Sequence, residues 1–143
     1  MTYQPLGLVM ADLDGTTALF KHHRGPFDYD QVSADAPNIP VIRTIEALAR
    51  DGRTIVFMSG REQVPGCYED THAWLKRHVN VPDFELYMRA HEDHRRDAIV
   101  KAELYYAHVA PRPVLLVLDD RDQVVDGWRA LGLSCFQVAP GNF

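Results

Sequence analysis

Few of the features that would place this 143-residue chain in a membrane, a secreted scaffold or a thiolate metal site are present. Cysteine occurs only twice, at Cys67 and Cys135, far apart and outside any CxxC or Cys/His spacing. That pattern reads as free thiols, buried or half-buried, rather than a disulfide framework or a zinc site. Long apolar runs are missing too: "LGLVMA" and "VLLVL" fall well short of the ~20 residues that cross a bilayer. Asp12 and Asp14 interrupt the first apolar run, so the N-terminus lacks the basic-then-apolar layout of a signal peptide, and an intracellular location is the default expectation. Positive charge is not in excess, since the formal net charge is −5. This argues against tracking a long nucleic-acid backbone by electrostatics, but not against gripping one terminal phosphate. No repeat, low-complexity tract or flexible linker divides the chain, so one domain over 1–143 is expected.

What the chain does contain is an alternation of strand-like and helix-period segments. Strands are predicted at 6–11, 54–58, 84–88, 114–118 and 134–138. Two of them, "TIVFM" and "VLLVL", are almost wholly apolar, as central parallel strands covered on both faces must be. Amphipathic helices are predicted at 40–50 (Val41, Ile42, Ile45, Leu48, Ala49), 70–79 (Trp74, Leu75, Val79), 97–108 (Val100, Leu104, Ala107) and 122–131 (Val124, Val125, Trp128, Leu131). Gly52 and Gly132 stand where the first and last should stop. The fold class is therefore α/β: a three-layer, Rossmann-like domain with a central parallel sheet of about five strands. Segment 17–36 is polar, contains Gly25-Pro26 and lacks a period; it reads as a small flap over the carboxyl edge of the sheet, with no large cap domain.

The chemistry-bearing residues cluster at the strand ends. Asp12 and Asp14 follow the first strand, Ser59-Gly60-Arg61 the second, Arg89 the third, and Asp119-Asp120-Arg121 the fourth. In an open parallel sheet these ends share one edge, and ligands bind at its topological switch point. If the fourth strand lies beside the first, Asp12 and Asp119 become neighbours. Carboxylates that crowd together need a cation, and Mg²⁺ suits hard oxygen ligands while keeping positions for water and phosphate. Asp12, Asp119 and the backbone carbonyl near Asp14 would supply such a set. Strand alternation argues against Asp119 and Asp120 both ligating directly. The one-residue gap between Asp12 and Asp14 turns both towards a phosphate, one as nucleophile and the other as acid/base. Ser59, the amides after Asp12 and Lys101 would supply donors to the phosphoryl oxygens.

"DLDGT" (12–16), Ser59, Lys101 and "DD" (119–120), in that order, resemble the four motifs of the haloacid dehalogenase (HAD) superfamily of phosphotransferases. "HRGPFDYD" (23–30), "VFMSGRE" (56–62) and the stretches 88–111 and 118–143 further resemble the phosphatase half of phage polynucleotide kinase–phosphatases, over essentially the whole chain. The resemblance implies a Mg²⁺-dependent phosphatase that removes 3′-phosphates from DNA or RNA ends. By it, Asp12 is the nucleophile, Asp14 the acid/base, Asp119 a metal ligand, and Asp120 completes the metal or water shell. Arg24, Arg61 and Lys101 match the family's basic active-site residues; Thr16, Gly60 and Arg89 are expected to line the substrate. No GxxxxGK(S/T) phosphate loop occurs, so the kinase half of that family has no counterpart in this sequence. A trimmed phosphatase domain and a natural stand-alone phosphatase both accommodate this.

Two other readings compete. One is a nucleotidase acting on free (deoxy)nucleoside monophosphates, which the acidic charge favours slightly. The other is an inactive homologue that only binds ends or a partner protein. Ser59 also has a plain alternative as a turn serine, and the basic stretch 89–101 one as a solvated helix start. His22-His23 and His91-x-x-His94 lack a clustered third ligand and read as surface histidines near the substrate edge. Trp74 and Trp128 lie on apolar stripes and read as core.

Overall fold

The computed structural model describes residues 7–143; Leu6, the first residue of the expected opening strand, lies outside them. Five parallel strands form the central sheet: β1 (Leu8–Ala11), β4 (Ile55–Glu62), β5 (Glu85–Arg89), β6 (Val114–Asp119) and β7 (Cys135–Gln137), in the order β5-β4-β1-β6-β7. Four helices connect them: α1 (Ile39–Arg50), α2 (Cys67–His78), α3 (Asp97–His108) and α4 (Asp122–Ala130).

Strand alternation divides the apolar residues between two cores. Val9, Ala11, Ile55, Phe57, Leu116 and Leu118 pack with Ile42 and Ile45 of α1 and Trp74 and Leu75 of α2. Leu8, Met10, Val56, Met58 and Val117 pack on the other face with Val124, Val125 and Trp128 of α4. This is why β1 is buried throughout and reads as an unbroken apolar run. Both tryptophans are core residues, and both cysteines are buried free thiols.

Several boundaries differ from the sequence pattern. Strand β4 continues four residues beyond Met58, because Ser59 still pairs with Met88 and, after an irregularity in register, Glu62 pairs with Arg89. Helix α2 starts at Cys67, where a buried cysteine adds an apolar position before the expected stripe. In α3 the stripe holds at Val100 and Leu104 but Ala107 is exposed. The flap carries some order of its own: a short antiparallel ribbon of β2 (Ala18–Leu19) and β3 (Ala36–Pro37) brackets a 3₁₀ turn at Tyr29–Ala34. No helix among the described residues is long and apolar enough to cross a membrane.

Candidate active site

The chain runs from β1 outward to β4 and β5 on one side, then returns to β6 and β7 on the other. The reversal falls between β1 and β6, and their carboxyl ends present Asp12 and Asp119-Asp120 side by side. The Asp12 amide donates to the Leu118 carbonyl at 3.0 Å, and the Thr17 hydroxyl donates to the Asp12 carbonyl at 2.7 Å.

Lys101, buried on α3, reaches across and donates to Asp12 Oδ1 at 2.8 Å and to Asp119 Oδ2 at 3.0 Å. Thr16 Oγ1 lies 3.2 Å from Asp120 Oδ1 and 3.4 Å from Asp12 Oδ2. Asp119 is also gripped from behind: Oδ2 accepts from Trp128 Nε1 at 3.3 Å and Oδ1 from the Asp120 amide at 2.9 Å. Asp12, Asp119 and Asp120 each offer an oxygen within 4.8 Å of the others, and all three are buried. Burial, then the Asp119 charge, pushes the Asp12 carboxyl well above the ordinary carboxylate range; the same two causes raise Asp120. Burial works against the Lys101 ammonium, but Asp119, Asp12 and Asp97 outweigh it and hold its pKa above the ordinary lysine value. When all three are ionised, three carboxylates against one ammonium leave two negative charges unmatched, the charge of one divalent cation. The all-oxygen donor set is also what a hard cation requires.

Asp120 joining this cluster departs from the alternation expectation. Strand β6 ends at Asp119, so Asp120 is free of the pleat and its carboxylate turns back towards Thr16. Gly15, at φ +85°, makes room for it, because a Cβ there would overlap the Asp120 carboxylate. The Asp14 side chain is not part of this cluster.

Asp14 belongs to a second cluster. Its Oδ1 accepts from Arg24 Nη2 at 2.9 Å and from Arg61 Nε and Nη2 at 3.1 and 2.7 Å. Behind both guanidiniums stands Asp35, wholly buried, which accepts from Arg24 Nε and Nη2 and from Arg61 Nη2, each at 2.8 Å. His23 Nε2 lies 2.6 Å from Asp35 Oδ1, and the Trp74 indole N–H donates to the Asp35 carbonyl at 2.9 Å. Arg61 Nη1 donates to Thr71 of α2 at 2.9 Å. Every nitrogen of the two guanidiniums thus has an acceptor, Nη1 of Arg24 using the Gly25 carbonyl. Two carboxylates match two guanidiniums, so this cluster is balanced where the first is not.

Ser59 is buried, its Oγ accepting from the Arg61 amide at 3.1 Å. Gly60 packs against the Asp97 carboxylate. Arg89 is not brought into either cluster. Its guanidinium donates to the Gly60 carbonyl at 2.8 Å, to the Asp93 and Arg95 carbonyls and to Asp97, and so holds the loop 90–96 in place. Of the histidines, His91 and His94 are surface residues beside Glu62, but His23 is drawn in against Asp35.

The sequence pattern missed Asp35 and underrated Asp97. Asp35 sits in an aperiodic loop where a lone carboxylate carries no signal; its role depends on the flap folding back. Asp97 was legible only as a helix start, yet it faces Arg89 and, at 3.4 Å, Arg121. Burial alone would raise the Asp97 carboxyl, but Lys101, Arg89 and Arg121 hold it below its usual value.

A parallel sheet with an acid cluster, a buried lysine and a carboxylate two residues past the first strand-end aspartate defines a phosphotransferase site of the HAD type. The family model described as the polynucleotide kinase PNKP phosphatase domain matches residues 7–143, and the chain belongs to that family. Among relatives, a candidate bifunctional polynucleotide kinase/RNA ligase of Autographa californica nuclear polyhedrosis virus is 34% identical over 137 residues, covering 90% of this chain and 19% of that protein. Two solved chains in Pnkp1/Rnl/Hen1 complexes, one of them described as an RNA repair complex, align with TM-scores of 0.87 and 0.85 at 37% and 38% identity. They cover 96% of this chain but 47% and 43% of theirs. The chain thus spans about a fifth of the viral relative and under half of each solved chain. It is a HAD-type phosphatase domain of the kind that processes nucleic-acid ends.

Proposed function

We propose that this domain is a Mg²⁺-dependent phosphomonoesterase that removes 3′-phosphates from DNA or RNA ends through an aspartyl-phosphate. The observation that carries the reading is the pairing of an unbalanced acid cluster (Asp12, Asp119, Asp120 against Lys101) with Asp14 held beside it by Arg24 and Arg61.

Asp12 attacks phosphorus: an O–P bond forms as the bond from phosphorus to the 3′-oxygen breaks. Asp14 delivers a proton to that leaving oxygen. Its Oδ1 is occupied by the arginines, which leaves Oδ2 to carry the proton. In the second step Asp14 takes a proton from water as the water attacks the aspartyl-phosphate. Phosphate leaves and Asp12 regains its carboxylate. Ser59 Oγ, whose acceptor side is used by the Arg61 amide, keeps its own proton to donate to a phosphoryl oxygen. Lys101 holds Asp12 in position and offsets charge on the same oxygens. A divalent cation held by Asp12, Asp119 and Asp120 would supply charge neutralisation for the transferring phosphoryl group. Arg24 and Arg61 act on this reading by aiming Asp14.

The small flap supports a polymer rather than a free nucleotide as substrate, because among the described residues no cap domain closes over the sheet edge. The match to the polynucleotide kinase PNKP phosphatase domain and the solved relative described as part of an RNA repair complex support nucleic-acid ends as the substrate class. The test is a panel of 3′-phosphorylated DNA and RNA oligonucleotides with 3′- and 5′-mononucleotides, assayed with Mg²⁺ and with EDTA. Highest kcat/KM on an oligonucleotide 3′-phosphate, lost in EDTA, is expected. Preference for 5′-mononucleotides would establish the nucleotidase reading instead.

A further inference from the structure

The rim beside the acid cluster bears an aromatic ring that no core requires. Phe143 is 55% exposed, yet it is held in place. Arg121 Nε donates to its carbonyl at 2.8 Å, and the Arg121 guanidinium lies 5.4 Å from its ring centroid. The Lys21 ammonium, from the flap, lies 4.7 Å from the same centroid.

Its position relative to the chemistry is set two residues earlier. Gly141 packs so closely on the Asp120 backbone that a Cβ would overlap the Asp120 carbonyl, and the Gly141 carbonyl accepts from the Asp122 amide at 2.8 Å. Two residues span at most about 7 Å, so Phe143 lies close to the Asp120–Arg121 backbone just past the carboxyl end of β6. Lys21 makes no ion pair or hydrogen bond among the described residues; its contact is the ring.

We propose that Phe143 is the stacking platform for a nucleobase next to the scissile phosphate, with Lys21 and Arg121 taking the adjoining backbone phosphate. The inference rests on a polymer end being the substrate. A ring face attractive to an ammonium is equally a surface on which a base can stack. On binding, the base replaces Lys21 on the ring and Lys21 turns to the phosphodiester. Every base has a π face, so the platform favours polymer over small phosphoester without reading sequence.

The experiment compares kcat/KM for a 3′-phosphorylated oligonucleotide with that for para-nitrophenyl phosphate, and measures oligonucleotide binding by fluorescence anisotropy, in the wild type, Phe143→Ala, Phe143→Leu and Phe143→Trp. Loss of one stacked base predicts an about tenfold fall in the ratio and an about tenfold weaker Kd for the Ala and Leu variants, with Trp at or above wild type. Tyr106→Ala, exposed on α3, serves as the control for surface aromatics. An unchanged ratio and Kd in Phe143→Ala would overturn the platform even if the wild type hydrolyses the oligonucleotide well. A wild type that ignores oligonucleotide ends but cleaves mononucleotides would sink the polymer reading, while the anisotropy of the same variants still judges the ring.

Discussion

Asp14 Oδ1 accepts from two guanidiniums that are themselves pinned by one buried carboxylate, Asp35. Removing Asp35 leaves two buried cations partly unmatched, a change that costs about 3–5 kcal/mol in comparable buried pairs. Asp35→Ala is therefore expected to lower the melting temperature by about 10 °C and to cut kcat at least about tenfold through misaimed Asp14. Circular-dichroism melts and steady-state kinetics read the two effects, and an unaltered kcat would remove Asp35 from the positioning role. The acid cluster makes a separate prediction about pH. Asp12 and Asp120 have raised pKa values when folded, so their ionisation opposes folding at pH above those values. That cost disappears as the pH falls below the unfolded carboxylate pKa, near 4. A cation binds the ionised forms, so the rise in melting temperature on adding Mg²⁺ should be larger at pH 8 than at pH 5. Equal rises at both would mean that the cluster does not bind the ion.

The elements that carry these residues were legible to different degrees. The apolar runs marking β1, β4 and β6 and the stripes of α1 and α4 are properties of neighbouring residues, so periodicity finds them. The extension of β4 to Glu62 and the β2–β3 ribbon of the flap depend on partners far along the chain, Met88 and Arg89 in one case and Ala36–Pro37 in the other, and no local pattern encodes them. The C-terminal segment after β7 is another such case. It passes over Asp120 with Gly141 against the backbone. Gly141→Ala would force the segment and Asp120 apart, and the Mg²⁺ concentration for half-maximal activity should rise several-fold. Wild-type Mg²⁺ dependence in that variant would show that the contact does not hold Asp120.

The chain as a whole carries a formal charge of −5, and its positive groups near the site are mostly internal. Arg24, Arg61 and Lys101 are buried and matched by carboxylates. Only a few rim cations, Lys21 and Arg121 among them, are placed to meet a strand. With about two phosphate contacts, the logarithm of kcat/KM for an oligonucleotide should fall against log salt with a slope near −1.5. A slope steeper than about −4 would demand a long electrostatic track that this surface does not offer.

By itself the sequence determined the class of chemistry: Asp12, Asp14 and Asp119-Asp120 follow runs whose period places them at strand ends, Lys101 falls on a helix between them, and charge crowding at the strand ends calls for a cation. Resemblance of the motif order then pointed to the family. Tertiary structure decided how the carboxylates divide. It sent Asp12, Asp119 and Asp120 to one cluster with a net negative charge, and Asp14 to another balanced by Arg24 and Arg61. It also enlisted Asp35 and committed Arg89 to a loop. The reason is physical: strand ends follow from local periodicity, whereas the partner of a buried charge is chosen by long-range packing that brings β1, β4, α3, β6 and the flap to one edge.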